Sequence, residues 1–190
     1  MNKGPSLRVK KFSEPRKMLN PFRDDEVEAL KGHLGESHRE VLTTYLETGM
    51  CRGELTNMAW KDVSFQDSGT ITVRDPKNNE DRVIPMSQSV RQILSKRQLD
   101  QIVDFNYVFG TSGNILHVLK RAAKECLEES RRDRLQRRLR DSFGTKPADI
   151  GIPLDRIQTL MGYRMVVITR KYVQTRDQLD GKKHFASMPS

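Results

Sequence analysis

The stretch of residues 137–172 limits most strongly how the rest of the chain can fold. It begins with RRLRDSFGT, resumes after Gly151 with LDRIQTLMGY, and ends with TRKYVQT around Tyr172. Leucine and isoleucine recur in the middle segment at the spacing of an amphipathic helix, and a glycine follows its last apolar residue. The pattern therefore predicts an arginine-bearing helix, a second helix that buries one face, and then a lone tyrosine in a basic setting.

The size and charge of the chain indicate a folded domain with a polyanionic partner. Its 190 residues are enough to bury a core, and the 35% that are hydrophobic are periodic rather than scattered. The formal net charge is +9. Because neutralising phosphate groups releases condensed counterions, nucleic acid is the first candidate for that partner. Charge alone leaves other polyanions open.

Cysteine and histidine usage argues against disulfides and metal chemistry. Cys51 and Cys126 lie far apart and without metal-ligand spacing, which favours reduced thiols in a cytosolic protein. None of the four histidines pairs with acids at ligand spacing, so a metal-dependent nuclease is disfavoured and no cofactor is expected. No run is apolar enough to span a membrane and no signal peptide opens the chain, so we expect no membrane partner and a cytoplasmic location.

The periodicity changes from helical to alternating and back again, which predicts a mainly α fold (α+β) with a small three-stranded antiparallel sheet. Short connections between successive strands favour antiparallel pairing. Pro147 is expected to kink or stop early the helix that begins near Leu139. The predicted helices cover about 24–34, 38–48, 52–60, 87–98 and 114–129, and the predicted strands cover 63–65, 70–74 and 82–85.

Four motifs in order resemble the tyrosine recombinases, the phage-integrase family. They are TGMCRGEL with MAWKDV (48–63), DPKNN with RVIPM (75–86), RRLRDSFGT (137–145), and LDRIQTLMGY followed by Tyr172. The resemblance covers about residues 22–174 and implies a helical DNA breaking-rejoining catalytic domain. In this family a tyrosine attacks a DNA phosphodiester without metal, forming a 3′-phosphotyrosyl link and freeing a 5′-hydroxyl.

The resemblance implies a role for each matching side chain. Tyr172 is the candidate nucleophile, and Arg140 is the candidate clamp for the phosphate oxygens, whose charge a planar guanidinium meets bidentately. Lys77 is the candidate general acid for the departing 5′-oxygen. Glu54 and Asp62 are expected to orient neighbours and cap structure rather than touch substrate. Each candidate has a plainer alternative: Tyr172 as an aromatic that packs a helix end, Arg140 as one more arginine in a basic run, and Lys77 as an ordinary turn lysine.

Several positions depart from the family pattern. The first family arginine falls on Cys51, and Arg52 could substitute only if the register shifted, because one helical position rotates a side chain by about 100°. Arg137 stands where the family usually has histidine; as a candidate catalytic residue it could still bind phosphate but could not act as a base. Tyr163 stands where the family usually has histidine or tryptophan, and it is a candidate catalytic residue because it could hydrogen-bond a phosphate oxygen. Asp141 replaces a histidine that often follows the second arginine, and it brings an acid near the phosphate site. We therefore expect impaired catalysis.

The most basic segment offers further candidate contacts to double-stranded DNA. The alternative is a solvated helix face. The candidate DNA-binding residues are Arg131, Arg132, Arg134, Arg138 and Lys171.

Residues 20–175 are expected to form the catalytic domain. Residues 1–19 are expected to be a flexible basic arm or the end of a linker, and 176–190 a C-terminal tail. Family members carry an N-terminal DNA-grasping domain that this chain has no room for, so a catalytic-domain fragment or a short form is expected. The resemblance also implies a homo-oligomer, a tetramer on DNA joined through the tail, and a nucleoid-associated location in a prokaryote.

Three functional interpretations remain open from the sequence. The first is a DNA integration and recombination enzyme that uses Tyr172, Lys77 and Arg140. The second is a catalytically inactive relative that binds DNA, which the cysteine at position 51 favours. The third, a basic protein-interaction or RNA-binding domain, lacks any aromatic stacking motif in its support.

Overall fold

The computed structural model describes residues 19–74, 81–100, 106–109, 115–163, 169–170 and 172, and these form a mainly helical domain. The predicted fold class is confirmed. Single turns of 3-10 helix cover Trp60–Asp62 and Glu129–Arg131. The helices in the described ranges are α1 (Asp24–Gly32), α2 (Glu36–Thr48), α3 (Arg52–Thr56), α4 (Gln88–Leu99), α5 (Ile115–Cys126), α6 (Leu135–Asp149) and α7 (Leu154–Met161).

The sheet has the predicted three strands, β1 (Val63–Ser64), β2 (Thr70–Val73) and β3 (Arg82–Pro85), in that order and antiparallel. Ile71 of β2 lies opposite Val63 on one side and Ile84 on the other. Because side chains alternate along a strand, Ile71 and Val73 are buried while Thr70 and Thr72 are half-buried. The connection between β2 and β3, which contains Lys77, lies outside the described residues.

Local signals in the sequence explain where two of the helices begin and end. The Ser87 hydroxyl accepts a hydrogen bond from the Val90 backbone N–H at 3.1 Å and so caps α4, as predicted. Gly49 ends α2 in a left-handed conformation with φ of 62°. A Cβ there would lie 2.2 Å from the Phe143 ring, so glycine allows α2 and α6 to approach closely.

Helix α6 differs from its prediction at both ends. It begins at Leu135 rather than near Leu139, and it runs past Pro147 to Asp149, so the expected early stop is wrong. Proline removes one backbone N–H donor, and this loss falls in the last turn. The turn is closed there by other bonds, including the Ile152 N–H to the Pro147 carbonyl at 2.9 Å.

Two apolar clusters form the core. The larger one joins α1, α2, α4, α5 and the sheet to the start of α6. The smaller one lies between the end of α6 and α7. The smaller cluster consists of Leu19, Ala148, Ile157, Met161 and Tyr172.

No helix in the described part of the chain is long and apolar enough to cross a membrane.

Candidate active site

A basic pocket of about 530 Å³ lies where the start of α3 faces α6 and Tyr163, two residues beyond the end of α7. Three of its lining side chains are arginines, which makes the pocket suited to an anion. An aromatic and an apolar side chain form its floor on the α2 side. The lining residues are Tyr45, Met50, Cys51, Arg52, Gln136, Arg137, Arg140 and Tyr163.

Helix α6 supplies two of the three arginines. Arg137 and Arg140 are three residues apart and therefore share one helix face. The Arg137 side chain is 53% exposed, and its Nε lies 3.8 Å from Oδ2 of Asp141 one turn further along. Arg137 therefore stands at the mouth of the pocket with its charge open to solvent.

Arg140 is fixed more tightly. Its Nε donates a hydrogen bond to the Tyr163 hydroxyl at 3.1 Å, its Nη2 donates to the Met161 carbonyl, and its guanidinium lies 4.7 Å from the centre of the Tyr163 ring. Burial acts to lower the pKa of Arg140, but Tyr163 and Glu54 raise it above its ordinary value on balance. Arg140 is therefore a permanently charged, pre-oriented donor in the pocket wall.

Cys51 and Arg52 both line the pocket, whereas the sequence predicted that Arg52 could take the place of the family arginine only with a shift in register. Cys51 precedes α3 and has an extended backbone, with φ of −78° and ψ of 167°. The rotation of about 100° per residue applies inside a helix, and so does not separate these two side chains. Arg52 is exposed and lines the same pocket as Cys51.

Tyr172 lies behind the pocket rather than in its lining. It is only 1% exposed, and its hydroxyl donates to Oδ1 of Asp141 at 3.2 Å and lies 3.3 Å from the Tyr163 hydroxyl. Burial, together with Tyr163 and Asp141, raises the pKa of Tyr172 above its ordinary value. The two phenol rings stack with centroids 6.5 Å apart. Tyr163 thus connects the buried hydroxyl to the pocket.

The close approach of Tyr172 to α6 depends on Gly144. A Cβ at this position would lie 2.5 Å from the Tyr172 ring. Glycine in the middle of a helix is unfavourable by itself, and here it leaves the space that the ring fills. The motif RRLRDSFGT contains the sequence signal for this close approach, since it has a glycine inside the helix, one turn after Arg140.

Glu54 and Arg82 support the pocket from behind. The Glu54 carboxylate accepts the Cys51 backbone N–H at 2.6 Å and two hydrogen bonds from Arg82. Arg82 also donates from Nε to the Leu160 carbonyl at 3.1 Å, which joins β3 to α7. Glu54 thus orients its neighbours, as expected, whereas Arg82 was missed because a strand arginine carries no distinctive sequence signal. Asp62 likewise pairs with Arg74 at 2.6 Å.

The candidate DNA-binding arginines of the basic segment divide into buried and exposed side chains. Arg138 is 5% exposed, and its guanidinium lies 5.7 Å from the centre of the Phe22 ring. Arg131 pairs with the buried Glu26 at 2.5 Å. Both guanidinium groups therefore make contacts within the domain.

The other arginines of this segment differ in exposure. Arg132 donates from Nε to the Leu127 carbonyl at 2.7 Å, and Arg134 is half exposed. Lys171, like Lys77, lies outside the described residues. Within the described ranges, no group of three or more histidine, cysteine, aspartate or glutamate side chains could hold a metal ion.

Comparison with known proteins assigns the chain to a family. A sequence profile described as the phage integrase family matches residues 20–178. The chain belongs to the phage integrase family. Tyrosine recombinase XerA of Pyrococcus furiosus is 28% identical over 142 residues, which are 72% of this chain and 49% of that protein. XerA of Saccharolobus solfataricus is 26% identical over 137 residues, 70% of this chain and 44% of that protein. The chain thus spans about half the length of these integrase-family relatives.

Solved structures of the family share the fold. A crystal structure of XerA recombinase superposes with a TM-score of 0.73 at 22% identity, covering 93% of this chain and 68% of that one. The catalytic domain of bacteriophage HP1 integrase gives 0.64 at 17% identity, covering 88% and 95%. The Tn1549 transposon integrase in complex with transposon right end DNA gives 0.70 at 17% identity, covering 90% and 67%.

Proposed function

We propose that this integrase-family domain cleaves and rejoins double-stranded DNA at specific sites, with the Tyr172 hydroxyl as the nucleophile. One observation carries the proposal: Arg52, Arg137 and Arg140 line a single pocket, and Tyr163 in its wall lies 3.3 Å from the Tyr172 hydroxyl. Relatives named tyrosine recombinases, the net charge of +9 and the DNA complex of the Tn1549 integrase support it.

The proposed chemistry uses the arginines for charge and a lysine for proton transfer. The scissile phosphate binds between Arg140, Arg137 and Arg52, whose fixed positive charge stabilises the non-bridging oxygens as their charge grows. The Tyr163 hydroxyl, which accepts a hydrogen bond from Arg140, would itself donate to one of those oxygens. Lys77 gives a proton to the departing 5′-oxygen. The phosphotyrosyl bond keeps the energy of the broken bond, so rejoining needs no nucleotide cofactor.

Contacts outside the pocket are also part of the proposal. The exposed Arg134, together with Arg132 and Lys171, would contact the DNA backbone beside the cleavage point, while Arg131 and Arg138 hold the domain together. The tail over 176–190 would join neighbouring copies into a tetramer on DNA. Such a protein would act in the cytoplasm of a prokaryote, associated with the nucleoid. Analytical ultracentrifugation with and without duplex DNA tests the assembly.

A catalytically inactive, integrase-like DNA-binding protein is the second candidate. Cys51 favours it, because a thiol stands in the pocket where the family has an arginine and cannot clamp a phosphate. Losing one such donor costs about 2.7–4 kcal/mol of transition-state stabilisation in comparable oxyanion sites. Whether Arg52 replaces the missing contact decides between the two candidates.

Covalent trapping tests both. Nicked duplexes from a randomised pool lose a short strand on cleavage, so any phosphotyrosyl adduct is retained on a denaturing gel. An adduct from the unaltered protein that disappears with Tyr172→Phe supports the recombinase. An adduct only with Cys51→Arg would indicate an intact pocket disabled at one position. Salt-sensitive DNA binding with no adduct from any form would favour the inactive relative.

A further inference from the structure

The Tyr172 hydroxyl has to lose its proton to become a nucleophile, and its surroundings oppose a free phenolate. The side chain is 1% exposed and packs on Gly144 within the smaller apolar cluster. Burial raises the pKa of Tyr172, and the neighbouring Tyr163 and Asp141 raise it further. At neutral pH the phenol therefore stays protonated. Its proton has to leave during the attack itself, which requires an acceptor within hydrogen-bond reach.

Among the residues that the structure describes, two polar groups lie within hydrogen-bond distance of this hydroxyl. One is the Tyr163 hydroxyl at 3.3 Å, which already accepts a hydrogen bond from Arg140 and is itself a phenol. The other is Oδ1 of Asp141 at 3.2 Å, to which the Tyr172 O–H donates. A carboxylate is the far better proton acceptor of the two, since its conjugate acid is stronger than a phenol.

The position of Asp141 suits this task. Its side chain is 5% exposed, and helix α6 fixes it next to Arg140, so the acceptor and the phosphate clamp are consecutive residues. Arg137 Nε lies 3.8 Å from Oδ2, within ion-pair distance, while the Tyr172 hydroxyl donates to the other oxygen, Oδ1. The ionisable groups that interact with this carboxylate include Arg137, Arg138 and Tyr172.

We propose that Asp141 is the general base that takes the proton of Tyr172 as the tyrosine attacks the DNA phosphate. The inference rests on the proposed function. In the step, the O–H bond of Tyr172 breaks and its proton passes to Oδ1 of Asp141. The bond from Tyr172 Oη to phosphorus forms, the bond from phosphorus to the 5′-oxygen breaks, and that oxygen takes a proton from Lys77. In rejoining, Asp141 returns the proton to the departing Tyr172 oxygen.

A purely structural role of Asp141 predicts a different effect on the cleavage rate than a general-base role does. If Asp141 only holds Tyr172 inside the domain, its removal frees the tyrosine and cleavage becomes faster or stays unchanged. If Asp141 accepts the proton, its removal slows cleavage by about 10²–10⁴-fold, the usual contribution of general base catalysis. The rate of the amide variant then rises with pH, since hydroxide has to remove the proton instead.

The experiment measures the rate of adduct formation on nicked duplexes against pH. It compares the unaltered protein, Asp141→Asn and Asp141→His, with Asp133→Asn as a matched control at an 80% exposed position just before α6. Tyr172→Phe provides the blank. Asp141→Asn is expected to cleave about 10²–10⁴-fold more slowly, and Asp133→Asn to cleave at the rate of the unaltered protein. Asp141→His is expected to keep part of the rate, with its fall at low pH moved to near the histidine pKa of about 6.5.

Two results would overturn the inference. One is Asp141→Asn cleaving as fast as the unaltered protein. The other is Asp141→His giving the same pH profile as Asp141→Asn. Thermal denaturation shows whether each variant is folded, and if Asp141→Asn is not, the shifted profile of Asp141→His carries the test. Absence of a Tyr172-dependent adduct from the unaltered protein overturns the proposed function itself, and the base role with it.

Discussion

Arg82 donates two hydrogen bonds to the Glu54 carboxylate, from Nη1 to Oε1 at 2.9 Å and from Nη2 to Oε2 at 2.7 Å. The two side chains are only 10% and 22% exposed. Since Arg82 also holds the Leu160 carbonyl, one guanidinium connects β3, α3 and α7. The strand β3, which follows the connection that contains Lys77, is thus joined to the two helices that adjoin the pocket residues Cys51 and Tyr163.

Replacing Arg82 with methionine should therefore destabilise the domain. The substitution leaves the Glu54 carboxylate without its partner in a poorly solvated position, and breaking such a pair costs about 3 kcal/mol. Urea denaturation measures the change in the free energy of unfolding. Lys31→Met, which breaks the exposed pair with Glu28, is the matched control and should have a much smaller effect. Equal losses in the two variants would contradict this account.

The same carboxylate predicts a pH dependence of stability. Burial acts to raise the pKa of Glu54, but Arg82 and the Cys51 backbone N–H bring it below its ordinary value of 4.5 on balance. A carboxyl group with a lowered pKa stabilises the folded state above its ordinary value and loses that effect as the pH falls through the lowered one. Glu54→Gln should thus be less stable than the unaltered protein at neutral pH.

The difference in denaturation midpoint between Glu54→Gln and the unaltered protein should disappear as the pH is lowered from about 7 to about 3. Glu28→Gln, which removes an exposed carboxylate, serves as the comparison. A gap between Glu54→Gln and the unaltered protein that stays constant over this range would contradict the lowered pKa.

Much of the fold could be predicted from the sequence because its signals are local. Ser87 caps a helix through its own hydroxyl, and Gly49 ends one through its backbone freedom, so neither depends on distant partners. The alternation around Ile71 likewise follows from the strand alone. Pro147 predicts a kink or an early stop because its local effect is strong, yet α6 continues past it, and the N–H donor it removes belongs to the last turn.

The candidate site depended on contacts that sequence does not show. Nothing local distinguishes Arg138, which is buried against Phe22, from Arg137 beside it, which remains half exposed. The burial of Tyr172 depends on space beside Gly144 on another segment. Arg52 reaches the pocket because Cys51 lies outside α3, and the exact start of a short helix is among the least predictable features of a sequence.

Gly144→Ala should displace Tyr172. The added methyl group would lie 2.5 Å from the ring, inside the normal contact distance, and the ring is packed on all sides. Overpacking of this kind costs about 1–3 kcal/mol of stability. Urea denaturation and adduct trapping should show a loss of both stability and cleavage. Gly32→Ala, where a Cβ meets nothing within 4 Å, should keep both, and parallel behaviour of the two variants would contradict the packing argument.

Arg52→Ala should weaken DNA binding if Arg52 supplies the contact that Cys51 cannot. Removing one phosphate contact lowers the slope of log affinity against log salt by about 1. Fluorescence anisotropy with duplex DNA at several salt concentrations measures both the affinity and the slope. Arg121→Ala removes an exposed arginine of α5 outside the pocket lining and is the control. An unchanged slope for Arg52→Ala would exclude Arg52 from the phosphate site.

Lys77→Ala should block cleavage of ordinary DNA but not of DNA whose scissile 5′-oxygen is replaced by sulfur. A thiolate leaves without protonation because its conjugate acid, with a pKa of about 8.5 for a thiol, is far stronger than an alcohol. A proton donor therefore matters only for the oxygen substrate, where its loss should cost about 10²–10⁴-fold in rate. Single-turnover adduct formation on the two duplexes measures this.

The control for the leaving-group experiment is Arg140→Ala. This variant should cleave both duplexes more slowly, because charge on the non-bridging oxygens grows in either reaction. Equal slowing of both duplexes by Lys77→Ala would assign the lysine to phosphate binding instead of proton donation. If the sulfur duplex restores cleavage by Lys77→Ala but not by Arg140→Ala, Lys77 is the proton donor and Arg140 of α6 stabilises the phosphate.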